Sequence, residues 1–139
     1  MSIHIFAICK NDVFIKGIEH LLNRHGIYLA GTCTNAQQAI NELSKCKPKP
    51  DVTLLDANWS FHNIAIRDLL PAVRKVSKVV LTTNYFEGFV ERELMKYEPH
   101  GYIYRSVQGV QIITDCIYKV HAGGTYFVTD KQFSENDQI

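Results

Sequence analysis

The chain has 139 residues, of which 46% are apolar and 21% charged, enough for one hydrophobic core and too little for a second sizeable domain. Fifteen Lys and Arg against fourteen Asp and Glu leave a charge of +1, so no bulk positive field exists to hold nucleic acid or an anionic membrane surface. The longest apolar runs, such as those at 3–9 and 52–55, fall far short of the ~20 residues of a spanning helix.

Met1 leads directly into a strand-like segment without the basic, apolar and small-residue regions of an export signal, so a cytoplasmic protein is expected. Cys9, Cys33, Cys46 and Cys116 show no C-x-x-C pairing and no His at zinc-finger spacing, which predicts reduced thiols rather than a disulfide framework or structural metal. The scattered histidines have no metal-ligand spacing.

Short β-branched or aromatic runs alternate with segments of helical period along the whole chain. Ile3 to Ile8 is almost continuously apolar, as expected of a parallel strand covered on both faces. Asn11 or Asp12 can cap a helix whose stripe is Phe14, Ile18, Leu21 and Leu22, with Gly26 as its left-handed stop. Tyr28 to Cys33 reads as a second strand. Asn35 followed by Gln38 resembles a capping box ahead of a helix carrying Ala36, Ala39, Ile40 and Leu43.

Two prolines and three lysines make 45–50 a loop. The third strand, Val52 to Leu55, ends in Asp56. A third helix is expected within 63–76, where Pro71 kinks it or begins a final turn. Lys78 to Thr83 is a fourth strand, Phe86 to Tyr97 a helix, Gly101 to Tyr104 a fifth strand and Val107 to Ala122 the last helix. The tail from Thr125 opens with Tyr126-Phe127-Val128, a short strand or packing clip, and ends in a polar, linker-like run.

Five βα units with right-handed crossovers predict an α/β fold, a doubly wound five-stranded parallel sheet of flavodoxin-like order 2-1-3-4-5, covering residues 1–124 with a tail at 125–139. Ligands of such sheets bind beyond the carboxyl ends of the strands. That places Cys9, Lys10, Asn11, Asp56, Ala57, Asn58, Thr82, Thr83, Arg105 and Ser106 together. Cys9 and Cys33 end neighbouring strands, so their thiols are candidates for mutual approach.

The chain resembles the receiver domains of two-component response regulators, above all those preceding a LuxR-type helix-turn-helix. The carriers are the aspartate closing Asp51-Val52-Thr53-Leu54-Leu55-Asp56, the threonine closing strand four in Lys78-Val79-Val80-Leu81-Thr82-Thr83, the segment Gly101-Tyr102-Ile103-Tyr104-Arg105, and Gly123-Gly124 after the last helix. The resemblance implies that Asp56 is the phosphoacceptor, its carboxylate attacking the phosphorus of a kinase phosphohistidine, with Thr82 answering the phosphoryl group and Tyr102 as the rotating aromatic. It implies protein partners, such as a histidine kinase, an output domain or another regulator, and a homodimer. The dimer would use the face of the helix at 86–97, the fifth strand and the last helix, where Tyr97, His100 and Tyr104 are candidate anchors.

Against that pattern, Cys9 and Lys10, followed by Asn11, stand where receivers carry the acidic pair that holds Mg²⁺. A thiol is too soft for magnesium and an ammonium repels it, so binding is expected to be weak or absent and no other cofactor is implied. Arg105 replaces the family's lysine, and Trp59-Ser60-Phe61 replaces its Met-Pro-Gly run. If Lys10 and Arg105 both face Asp56, two fixed cations stand in for the ion. The chain therefore reads as an atypical, non-enzymatic receiver acting by protein contact, with no direct contact to nucleic acid or membrane. The alternative is a conventional phosphoacceptor controlling transcription through a LuxR-type domain beyond this chain. The C-x5-R loop of small tyrosine phosphatases is excluded because Ile15 occupies the arginine's place, and a flavin phosphate loop finds too little room at 10–14.

Overall fold

The computed structural model describes residues 2–57, 65–83, 95–104 and 109–128. Its elements are β1 (Ile3–Ile8), α1 (Val13–Asn23), β2 (Ile27–Cys33), a 3₁₀ turn (Ala36–Gln38), α2 (Ala39–Lys45), β3 (Val52–Asp56), α3 (Ala65–Arg74), β4 (Lys78–Thr83), β5 (Gly101–Tyr104), α4 (Val110–His121) and β6 (Tyr126–Phe127). The sheet runs β2-β1-β3-β4-β5-β6, with every pairing parallel. Five strands in the expected order are therefore joined by a sixth, the short strand foreshadowed by Tyr126-Phe127-Val128. The helix expected at 86–97 lies largely outside the described residues.

Both faces of the sheet are covered, which is why its inner strands read as unbroken apolar runs. One face packs Phe6, Ile8, Leu55, Leu81 and Tyr102 against Leu43 of α2 and Leu70 of α3. The other packs Ile5, Leu54, Val80 and Ile103 against Leu22 of α1 and Ile117 of α4. Alternation along each strand thus assigns every side chain at the carboxyl end of the sheet to one face or the other.

Capping chemistry sets the helix limits. Asp12 holds the N-cap position of α1 without a side-chain cap bond and makes an ion pair with Lys16 at 3.9 Å, while the Asn11 Oδ1 accepts from the Val13 N–H at 2.9 Å. The helix ends at Asn23, and the chain turns into β2 at Gly26, whose φ of 75° is open to a residue without Cβ. Asn35 caps as expected, accepting from the Gln37 N–H at 2.9 Å, but the turn it starts is 3₁₀ before it becomes α2. The last helix begins at Val110, three residues later than expected, with Gly109 extended at its cap. Pro71 lies inside α3.

The stripe read for α1 is rotated. The helix buries Ile15 and Leu22, packs Ile18 partly, and leaves Phe14 and Leu21 exposed at 38% and 39%. The apolar residues of α1 fit two stripes offset by one residue, and contact with α4 and the odd-numbered side chains of β1 selects the second.

Candidate functional site

Asp56 and Thr82 are direct partners in the β3–β4 register, and both are almost fully buried, at 6% and 5% exposure. Together with Cys9, Asn11, Phe14 and Ile113 they line a cleft at the carboxyl end of the sheet, on the α1/α4 face. Its free inner volume is about 20 Å³, room for a water molecule or small ion. The strand ends bring Asp56, Thr82 and Cys9 together as the fold requires. Phe14 and Ile113 were not legible as lining residues, because each sits in an amphipathic helix where core packing is the ordinary role.

The resemblance to receivers implies Mg²⁺ here, and the donors among the described residues do not fit that ion. Magnesium demands near-octahedral hard oxygen ligands. Among the described residues lining the cleft, Asp56 supplies the one carboxylate; Cys9 offers a buried thiol, and the Asn11 amide oxygen is engaged by the Val13 N–H. Phe14, Ile15, Leu54 and Ile113 make the remaining wall apolar. No group of three or more His, Cys, Asp or Glu side chains suited to a metal occurs among the described residues.

Lys10 is exposed and makes no ion pair with Asp56: among the described residues the ion pairs are Lys16–Asp12 and Arg74–Glu98. The two-cation arrangement around Asp56 is therefore not formed on the Lys10 side. Arg105, Asn58, Ser106 and the segment Trp59-Ser60-Phe61 lie outside the described residues.

Tyr102 is buried at 1% exposure in the cluster on the α2/α3 face, the opposite face from the Asp56 cleft. Its neighbours in register are Leu81 and Phe127. Tyr97 packs against the same cluster. Tyr104 pairs with Thr83 through the backbone, and its side chain lies outside what the structure describes.

His100 is built into the amino end of the sheet. Its Nδ1 accepts from the Val79 N–H at 3.0 Å, its own N–H donates to the Val79 carbonyl at 2.9 Å, and its carbonyl accepts from the Tyr126 N–H at 3.2 Å. Burial, followed by the nearby charges of Arg74 and Lys78, lowers its pKa. As a candidate interface anchor its ring is already committed within the domain. A wider groove there is lined by Lys49, Asp51, Arg74, Lys75 and Lys78, of which Arg74 lies 3.9 Å from Glu98. Lys78 Nζ donates to the Val120 and His121 carbonyls at 3.0 and 3.3 Å, completing the end of α4.

The thiols do not form a redox pair. Cys9 belongs to the α1/α4 cluster and Cys33 to the α2/α3 cluster, so adjacent strand ends send them to opposite faces. Their contact is through backbone, the Cys9 N–H donating to the Cys33 carbonyl at 3.1 Å. Burial raises the pKa of Cys33 and Cys46 and pushes Cys116 up to about 12, a direction that disfavours the nucleophilic thiolate.

No protein-family model matches the chain, and no curated protein matches it. Solved structures do. The isolated receiver (REC) domain of RcsB from Salmonella enterica serovar Typhimurium, determined with the phosphomimetic BeF₃⁻, superposes with a TM-score of 0.75 at 10% identity, over 96% of this chain and 98% of that one. A response regulator from Thermotoga maritima gives 0.72 at 14% identity, over 88% and 100%. A LuxR family DNA-binding response regulator from Silicibacter pomeroyi gives 0.71 at 18% identity, over 93% and 98%. The chain has the receiver-domain fold.

Proposed function

We propose that this protein is a signalling receiver domain that works by contact with another protein and without phosphoryl transfer at Asp56. The single observation that carries this reading is the composition of the cleft: among its described lining residues Asp56 shares it with Cys9, Asn11 and Phe14, and no second carboxylate lines it. Phosphoryl transfer depends on positioned cations to take up the charge spreading over the phosphoryl oxygens. A thiol, a capping amide and an aromatic ring supply none. With no reaction to shift its population, the domain holds one conformation or changes it only through differential binding of a partner.

The partner is a protein: a histidine kinase, an output domain, another regulator or a second copy of the chain. The domain catalyses no reaction of its own, needs no cofactor and works in the cytoplasm, touching neither nucleic acid nor membrane directly. No helix among the described residues is long and apolar enough to cross a membrane. The second reading, a conventional phosphoacceptor feeding a LuxR-type DNA-binding domain, is favoured by one feature, the pairing of Asp56 with Thr82 across β3 and β4.

Incubation with Mg²⁺ and acetyl phosphate, followed by intact-protein mass, separates the two. The proposed reading expects the unmodified mass alone. An added phosphoryl group that disappears in Asp56→Asn would replace it with the second.

A further inference from the structure

We infer that strand β6 is a strap closed over Tyr102, held there by Phe127 and hinged at Gly123-Gly124, which carries the position of Tyr102 to the chain beyond Val128. The inference rests on the proposed reading of the domain as a receiver and on Tyr102 as the moving aromatic that the resemblance implies. It names the element through which that motion leaves the domain.

Four observations converge. The β5–β6 register sets Phe127 beside Tyr102, and Phe127, half-buried, packs against the cluster that encloses the Tyr102 ring. The strap's backbone is fastened at two points, the Tyr126 N–H to the His100 carbonyl at 3.2 Å and the Val128 N–H to the Tyr102 carbonyl at 2.7 Å. Tyr102 thus holds the strap through its backbone, and Phe127 of the strap packs against the cluster in which the Tyr102 ring is buried. A Cβ on Gly101 would come within 3.1 Å of the Tyr126 carbonyl and 2.9 Å of the Cys116 sulfur, so strand β5 begins with the residue that lets strap and α4 approach closely.

The fourth observation is the hinge. Gly123 has a φ of 100° with nothing within 4 Å of an added Cβ, so conformation rather than space calls for glycine there. A two-residue strand at a sheet edge, secured by two backbone bonds, by half-buried Phe127 on one face and by half-buried Tyr126 and Val128 on the other, belongs to the low-stability end of a domain's local openings. The Gly123 and Gly124 N–H groups donate to the Val120 and Lys119 carbonyls at 3.0 and 2.9 Å, so rotation beyond the Gly124 nitrogen frees the strap while these bonds keep the end of α4 closed. Opening uncovers one side of Tyr102, and movement of Tyr102 in turn withdraws the surface on which Phe127 rests. Phe127 is a positioning residue in this scheme.

Amide hydrogen exchange by NMR on the whole chain tests the coupling without any phosphorylation. In Phe127→Ala, protection of the Tyr126 and Val128 amides should fall about tenfold or more, the Tyr102 ring resonances should shift, and β1 and β3 should keep their protection; Phe127→Tyr should restore all three. In Tyr102→Leu, which keeps the accepting carbonyl, Val128 should lose protection similarly. Wild-type protection of Val128 in Tyr102→Leu, an unmoved Tyr102 ring in Phe127→Ala, or a uniform loss across the sheet would each overturn the strap. A phosphoryl adduct at Asp56 would instead remove the phosphorylation-independent reading while leaving these exchange results standing.

Discussion

The double substitution Cys9→Asp with Lys10→Asp is expected to make the protein depend on Mg²⁺ for stability. Cys9 is 6% exposed and lines the same cleft as Asp56, so a carboxylate there, without a metal, faces a second carboxylate in a largely apolar wall. Burying an uncompensated charge costs on the order of several kcal/mol, and thermal unfolding in EDTA should occur well below the wild-type midpoint. A divalent ion between the carboxylates reverses the sign. Sites of this oxygen-donor type bind weakly, and at ten times its Kd the ion restores about 1.4 kcal/mol by mass action. The wild type, with one carboxylate in the cleft, should show the same midpoint in EDTA and in Mg²⁺. A double variant insensitive to Mg²⁺, or a wild type as sensitive as the variant, would mean that the sulfur and ammonium are not what bars the ion.

Acidification should weaken the fold through His100. In the folded protein its pKa is lowered from 6.5 by burial and then by Arg74 and Lys78, so the neutral ring is favoured there and the unfolded chain takes up the proton first. Stability from this group is complete above the unfolded value and declines as pH falls through about 6.5 toward the lower folded value. Protonation at Nδ1 also abolishes its capacity to accept from Val79, a hydrogen bond contributing about 1 kcal/mol. His100→Asn, which can place a neutral oxygen near the Nδ1 position, should flatten the decline between pH 7 and 5 in urea unfolding while retaining most stability at neutral pH. An unchanged slope would assign the pH dependence elsewhere.

Most of the architecture was legible because the decisive strands are buried on both faces. Ile3–Ile8, Lys78–Thr83 and Gly101–Tyr104 have the bounds their sequences suggest, since unbroken β-branched or aromatic runs between turn residues leave little choice. Features that depend on tertiary choice were less legible. The stripe of α1 could turn either of two apolar faces inward, and contact with α4 decided it. Tyr126-Phe127-Val128 reads by pattern as a short strand or a packing clip, and the free edge of β5 decides for the strand.

The candidate site divides in the same way. Asp56, Thr82 and Cys9 converge because each ends a strand, a position readable from the alternation of elements. Lys10 follows its strand into solvent, and a loop lysine has no packing to direct it toward Asp56. The separation of Cys9 from Cys33 follows from strand parity: paired strand ends one residue out of step face opposite sides of the sheet. His100 read as a surface anchor because one histidine before a glycine carries no sign that its ring will replace a backbone acceptor for Val79.

Amide NMR of the ¹⁵N-labelled wild-type chain, titrated with Mg²⁺ and then beryllofluoride, tests the central claim at the residue concerned. The account predicts that resonances of Asp56, Thr82 and Tyr102 stay in place through both additions. Saturable shifts centred on Asp56 that need both reagents and vanish in Asp56→Asn would contradict it.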